Sequence, residues 1–499
     1  MIDLLLETGA TPLGALSVAE RARARVLAEI DAARDRPRAG GSTHAQRRES
    51  LYRTLAERRY EFQRVAGLHG RDDPRAHAVL AELTRARASL DRLNRIAPGD
   101  RARDTSSGMR ALIGSLPEDA CIVAYWFTAT SVHAWTVTRS SLEWHVLGDS
   151  GEVEAAAAEL HAAFQSFRTT SLEVRRRLAQ RLYDTIVRPL DPACLGKRTL
   201  YFVPDGALHY TPFAALVDGA GGTGAYLVER YDVALLPALS LVRPQETLER
   251  TPRLLLVSDP VYGPSDERFL AAQRRRVGPE ARAALRSSAR HPDHVARLPG
   301  TALEAQRIAA LFAGSGAITA LSGFAATRDA FLAADLESYT HVHIATHGSF
   351  DPGAPRLSSL LLSRLDPAGR ALEGRVWAGD FAALRFSADL LVLSGCETAL
   401  GRHVRGEGLM GLQYLALGRG ARAVIASMWG VPDRDAAELI AAMYAHLLGR
   451  RLAPHQALGA AIRERLQRDA LIDPAHWAAF GVMTTEIRTD TPRNPRYMR

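Results

Sequence analysis

Two short stretches carry the residues best suited to chemistry. HVHIATHG (341–348) is an apolar run that breaks off at His347-Gly348, and DLLVLSGCETALG (389–401) is a second that breaks off at Gly395-Cys396. Apolar, β-branched runs of this length read as buried parallel strands. Residues just past the C-terminal ends of such strands face the crevice where α/β sheets bind ligands. An imidazole beside a thiol at that edge makes a cysteine nucleophile with its base. The imidazole depresses the thiol pKa, the thiolate attacks a carbonyl, and the imidazole protonates the leaving amine. Gly348 and Gly395 leave the backbone unshielded, and the N–H groups of Gly348 and Cys396 are candidate oxyanion donors. The alternative is a buried structural cysteine and an unrelated histidine. Two strand ends, each beside a glycine, favour the dyad.

His347 precedes Cys396 by 49 positions, which agrees with the caspase order, in which the histidine lies roughly 50 residues upstream. The pattern extends well beyond the pair. ATHG, SGCETALG, GEGLMGLQYLALGRGARAVIASMWGVPD (406–433) and, upstream, VPDGALHYTPFAAL, YLVERY and LLLVSDPVYG together resemble the CHAT domain family, caspase-like peptidase domains related to separase. The resemblance covers about 118–485, with Gly395 standing where the family usually has alanine. It implies an α/β fold: a caspase-like, mostly parallel sheet flanked by helices (251–486), with a pseudo-caspase α/β half (118–250) packed against it. An N-terminal helical region (1–110) precedes both. It also implies a cysteine endopeptidase with His347 and Cys396 as its dyad, needing no cofactor and no metal. Family kinship further implies a bacterial defence or cell-death setting, in which the protein substrate is gasdermin-like or another neighbouring-gene product. A non-catalytic scaffold with an intact but unused dyad is the competing reading.

Four more residues are candidates for substrate contact. Asp433 and Asp435, in WGVPDRDAAEL, follow the strand after the cysteine. They either line a substrate pocket or cap the helix they begin. Glu407 of the GEG loop and Trp429 complete the set. Separases have W-D-V-T-D-K-D-I-D here, and the last Asp, associated with a basic P1 residue, falls at Ala437 of this chain. That departure points to a smaller or apolar P1 residue. Gly418-Arg419-Gly420 followed by Ala423 imitates a dinucleotide fingerprint, but the order here is helix then strand, the reverse of what that motif needs. These glycines read as a helix C-cap and turn.

The elements that position these residues follow from periodicity. Residues 17–35, 43–70 and 72–96 are Ala/Arg/Glu/Leu-rich and read as helices, the first opened by a Ser17–Glu20 capping box. No 34-residue repeat runs through them. They form a packed helical arm or a dock for an activating partner. Three strands follow in 118–148, then helices at 151–167 and 171–190, and strands opening at 199, 226 and 253. A helix over 298–316, with a Thr301–Glu304 box, begins a βαβα run. The Arg-rich insertion 264–297 is a solvated face or a gate, and 487–499 is a tail.

Composition narrows the function. Lys and Arg total 63 against 55 Asp and Glu, a net charge of +8. The arginines alternate with acids rather than clustering, which argues against nucleic-acid binding. No apolar run of 18 residues occurs, and the N-terminus lacks a basic n-region, so no membrane span or signal peptide is expected. Cys121, Cys194 and Cys396 make no disulfide framework, which predicts a reducing, cytoplasmic setting.

Overall fold

The computed structural model describes residues 11–20, 23, 105–219, 224–245, 250–274, 295–314, 316–349, 358–395, 401–404 and 408–487, with helical fragments between 74 and 85. The expected helix over 43–70, most of those over 17–35 and 72–96, the core of the Arg-rich insertion and nearly all of the 487–499 tail lie outside the described residues.

Within the described residues one large sheet dominates. Its strands are β1 (Ala120–Phe127), β2 (Ser131–Val137), β3 (Leu142–Asp149), β4 (Thr199–Val203), β5 (Asp232–Leu235), β6 (Arg253–Pro260), β7 (Ala317–Gly323) and β8 (His341–Ala345). After β8 a small antiparallel sheet intervenes, made of β9 (His347–Ser349), β10 (Ser359–Leu361) and β11 (Arg375–Trp377). The large sheet resumes with β12 (Leu390–Ser394), β13 (Ala423–Ser427) and β14 (Phe480–Thr484). Its spatial order is β7-β6-β8-β12-β13-β14-β5-β4-β1-β2-β3. β7, β6, β8, β12 and β13 run parallel, and β14 is antiparallel to β13. Every residue of β8, β12 and β13 is buried, which is why they are continuous apolar runs rather than alternating ones. Helices α4 (Pro299–Phe312), α5 (Asp433–Gly449) and α6 (Pro454–Arg468) follow α1 (Thr105–Ser115), α2 (Ser150–Gln165) and α3 (Leu172–Ile186). α4, α5 and α6 pack side by side.

The two halves were expected to pack against each other. They share one sheet, edge to edge, where Met483 of β14 pairs with Leu235 of β5. Side chains reinforce this seam. Arg463 of α6 donates to Asp232 at 2.7 Å and to the Val228 carbonyl at 2.9 Å.

The N-terminal helix corrects a capping assignment. It opens at 12 rather than at 17. Thr11 caps it, accepting from the Gly14 N–H at 3.2 Å, with Pro12 at the first helical position. Ser17 lies inside the helix, its hydroxyl donating to the Leu13 carbonyl. Glu20 is fully buried and accepts from the N–H groups of Leu239 and Ser240. It also pairs at 2.5 Å with buried Arg23, which reaches the Tyr125 carbonyl. The helix therefore packs on the first half, where Ala15, Leu16 and Ala19 join Ile122, Ala124, Trp135 and Met109 in one apolar cluster.

The cysteines correct a second expectation. Cys121 on β1 and Cys194 form a disulfide, fully buried, with Cα atoms 5.3 Å apart. The cysteine argument for a reducing compartment is thereby withdrawn, and Cys396 is left as the one cysteine outside that bond. Among the described residues no helix is long and apolar enough to cross a membrane. The bridge closes a separation of 73 residues. Reduction or Cys121→Ala is therefore expected to lower the unfolding free energy by about 2–4 kcal/mol, read from urea titrations of oxidised and reduced protein.

Candidate active site around His347

β8 and β12 are parallel neighbours with Ala345 opposite Ser394. This pairing closes the described part of both strands, one residue short of the bend at Thr346 and next to Gly395. Cys396 itself lies outside the described residues, as do Glu397 and Glu407. The backbone before Cys396 is held from both sides. The Thr346 N–H donates to the Ser394 carbonyl at 3.1 Å, and the Ser427 hydroxyl, at the end of β13, donates to the Gly395 carbonyl.

His347 does not end β8, as the sequence suggested. Thr346 makes a bend, and His347 begins β9, opposite Leu361 of β10, with Gly348 opposite Leu360. The bend is fixed by side chains. The Thr346 hydroxyl donates to the Leu361 carbonyl and lies 2.9 Å from the Tyr262 hydroxyl. Burial pushes the Tyr262 phenol pKa up, which keeps it a neutral donor. The Tyr262 ring meets the imidazole edge-on, with centroids 4.9 Å apart.

The imidazole Nε2 lies 2.8 Å from the Ala296 carbonyl. A carbonyl only accepts, so Nε2 carries a proton, and in the neutral ring the lone pair is on Nδ1. That is the arrangement of a base whose second nitrogen is fixed by a third group.

Asp433 lies within electrostatic range of this imidazole. It is the first residue of α5, but it does not cap its own helix; it accepts from the Gly300 N–H at 2.5 Å in the first turn of α4. A methyl group at Gly300 would sit 2.5 Å from the Asp433 carboxyl carbon, so only glycine permits this approach. The Asp433 carboxyl is held above its ordinary range. Burial is the main cause, with Glu304 and Asp259 adding to it, while the Gly300 N–H and His347 oppose it.

The other candidates fare differently. Asp435 pairs with Arg465 of α6 and lies 3.5 Å from His476, so its carboxylate is committed within the fold. Trp429 is 2% exposed, stacks on Phe164 at 5.0 Å and donates to the Ala475 carbonyl. Trp429 is thus held within the core, whereas Asp435 stays part-exposed beside its partners. Ala437 is fully buried and lines nothing.

Sequence reasoning missed Glu304. It was expected to close a capping box with Thr301, yet α4 begins at Pro299 and the Thr301 hydroxyl donates to the Leu298 carbonyl. Glu304 is 1% exposed. It accepts from the Ser394 hydroxyl at 3.2 Å and lies 3.1 Å from His343 Nε2, at ion-pair distance but without hydrogen-bond alignment. The signal was present: Thr301, Glu304, Ile308 and Phe312 form the buried stripe of α4, and a carboxylate within such a stripe is unusual.

The raised Asp433 carboxyl makes a prediction with a definite sign. Its charged form destabilises the fold, so stability is greatest where the group is protonated and falls as pH rises through the folded pKa. Asp433→Asn is expected to raise the melting temperature at pH 7, with the gain vanishing below about pH 4, the usual Asp range. Scanning calorimetry across pH reads this directly.

The CHAT domain model matches residues 176–485. Tetratricopeptide repeat protein 28 of Mus musculus is 26% identical over 360 residues, covering 62% of this chain. The Homo sapiens protein of the same name is 24% identical over 360 residues. The chain spans only 13% of the length of either relative. Among solved structures, a chain of the Saccharomyces cerevisiae separase–securin complex aligns at 9% identity and TM-score 0.45, over 76% of this chain and 31% of that one. The Arg-specific cysteine proteinase gingipain R aligns at 12% identity and TM-score 0.34, over 67% and 74%. The family match takes in β6 through β14 and every residue of the His347 site, and on that ground the chain belongs to the CHAT domain family.

Proposed function

We propose that this chain is a cysteine endopeptidase that cuts a specific protein substrate with Cys396 as nucleophile and His347 as base. The observation that supports this best is the Ala345–Ser394 register, joined to an imidazole whose Nε2 is tied to Ala296 and whose Nδ1 keeps its lone pair. In the reaction, Nδ1 takes the thiol proton and the sulfur attacks the scissile carbonyl carbon. The tetrahedral oxyanion is stabilised by N–H groups of Gly348 and Cys396. Collapse expels the amine, which leaves with the proton from His347, and a thioester remains. Water, deprotonated by the same imidazole, then releases the acid. Asp433, coupled to His347, is the retained candidate for substrate contact; Glu407 stays a candidate from the sequence alone.

The setting we propose is cytoplasmic, in a bacterial defence or regulated cell-death pathway. The substrate there is a gasdermin-like protein or another neighbouring-gene product, and the N-terminal helices receive the activating partner. Family kinship is its whole support, and the two curated relatives are mammalian. Full burial of Cys121 and Cys194 limits thiol access to their bond in such a compartment.

Cys396→Ala and His347→Ala are each expected to lower kcat by about 10⁴-fold or more, with Cys396→Ala leaving the melting temperature nearly unchanged. Incubation with neighbouring-gene products, followed by intact-mass spectrometry, locates any cut. Equal cleavage by wild type and Cys396→Ala would overturn the nucleophile. Failure of wild-type Cys396 to react with iodoacetamide below about pH 8 would favour the scaffold reading.

A further inference from the structure

Residues 295–298 lead from the Arg-rich segment into α4, and they do two things at once. Ala296 meets His347 Nε2 with its carbonyl, and the next residue, Arg297, grips the end of β6. The grip is bidentate: Arg297 Nε to Asp259 Oδ1 and Nη2 to Oδ2, both 2.9 Å. Arg297 also meets the Glu267 carboxylate. Arg268 reaches the same Asp259 Oδ2 at 2.7 Å and holds Asp266 with its remaining nitrogens. Asp259 is 5% exposed, and its φ of 49° is in the left-handed region. Its N–H is held by the Thr301 hydroxyl at 3.1 Å. A non-glycine residue in that conformation, buried and bound by two guanidinium groups, is more constraint than a surface turn requires.

We propose that Asp259 and Arg297 are positioning residues for His347, fixing the Ala296 carbonyl so that the imidazole keeps one tautomer and one orientation. The proposal rests on the dyad reading above. A guanidinium fork holds its partner in a defined plane, and Arg297 is adjacent in the chain to the carbonyl it steadies. That carbonyl stabilises the imidazolium formed when His347 takes the thiol proton, and the imidazolium in turn stabilises the thiolate. Tyr262 touches the ring, and the charged group that feels it from α5 is Asp433, which Glu304 on α4 and Asp259 influence in turn. Loosening the carbonyl therefore raises the Cys396 thiol pKa without removing any group that touches substrate.

Iodoacetamide is the probe, since it needs no substrate and the other two cysteines are bonded to each other and buried. The rate of Cys396 alkylation is measured against pH in wild type, Arg297→Ala, Arg297→Lys and Glu267→Gln. Arg268 still pairs with Asp259 in every variant, which protects the fold. Arg297→Ala is expected to shift the alkylation profile up by about one pH unit, or about tenfold in rate on its rising limb. Arg297→Lys shifts it the same way by less, and Glu267→Gln leaves it unchanged. Where alanine at 297 lowers the melting temperature, the lysine variant decides. Wild-type profiles in both Arg297 variants would overturn the proposal. A faster reaction on releasing Arg297 would do so too, by making residues 295–298 a block rather than a support. A wild-type profile of an ordinary thiol would remove the dyad reading itself, a result distinct from a depressed wild-type profile that the variants fail to move.

Discussion

The geometry of the candidate site is referenced to one ladder of backbone hydrogen bonds, β8 against β12, with Ala345 opposite Ser394. Side chains alternate across a strand, so a slip of one residue would exchange every inward and outward position. Slippage is resisted because both strands are buried throughout. The Ser394 hydroxyl must also meet Glu304, and the Thr346 N–H must meet the Ser394 carbonyl. The same register sets how far past the sheet the His347 bend and the Gly395 turn begin. The position of this edge is a consequence of strand pairing before it is a consequence of any loop.

Two buried carboxylates show how helices are placed against that sheet. Glu20 and Glu304 both occur in S/T-x-x-E patterns that mimic capping boxes, and both point into the protein. A buried carboxylate is costly unless paired or hydrogen-bonded. Glu20 takes two backbone N–H groups and Arg23; Glu304 takes the Ser394 hydroxyl and lies beside His343. Apolar stripes alone tolerate sliding of a helix along a sheet. A carboxylate with fixed partners does not, because moving it leaves a charge unpaired. Glu304 thus ties α4, which carries Gly300 and follows Ala296, to the strand leading to Cys396.

The strands of the site were legible because burial on both faces writes them as unbroken apolar runs bounded by glycine. The pattern singled out His347, which the structure puts at the start of β9, and the place after β13 singled out Asp433, which begins α5. What was hidden depends on pairings distant in sequence. The Cys121–Cys194 bond joins residues 73 apart, and connectivity cannot be read from spacing. Thr11-Pro12 is a better helix start than Ser17, and proline at the first helical position was the clue left unused. Trp429 looked like a pocket wall because its motif adjoins the site, but its ring is claimed by Phe164 from the other half of the sheet. The clamp on Asp259 was invisible for a related reason: a left-handed aspartate and two arginines leave no periodic trace.

That tryptophan also shows why the first half matters to an edge it does not contribute to. An antiparallel β14 left unpaired would present an open row of backbone groups, the usual liability of an edge strand. β5 covers it through one residue pair, Met483 with Leu235, too little to hold two halves together unaided. The rest comes from side chains crossing the seam: Arg463 to Asp232, Arg175 to Asp473, and Trp429 stacked on Phe164 of α2. Trp429 lies four residues before Asp433 in the sequence. The carboxyl coupled to His347 is therefore a short span of chain from the ring that anchors the seam. Because Gly300 admits no side chain at its contact with Asp433, that span has little slack. The first half is then best understood as a support that closes the open edge and, by packing against Trp429, helps hold Asp433 at its contact with Gly300.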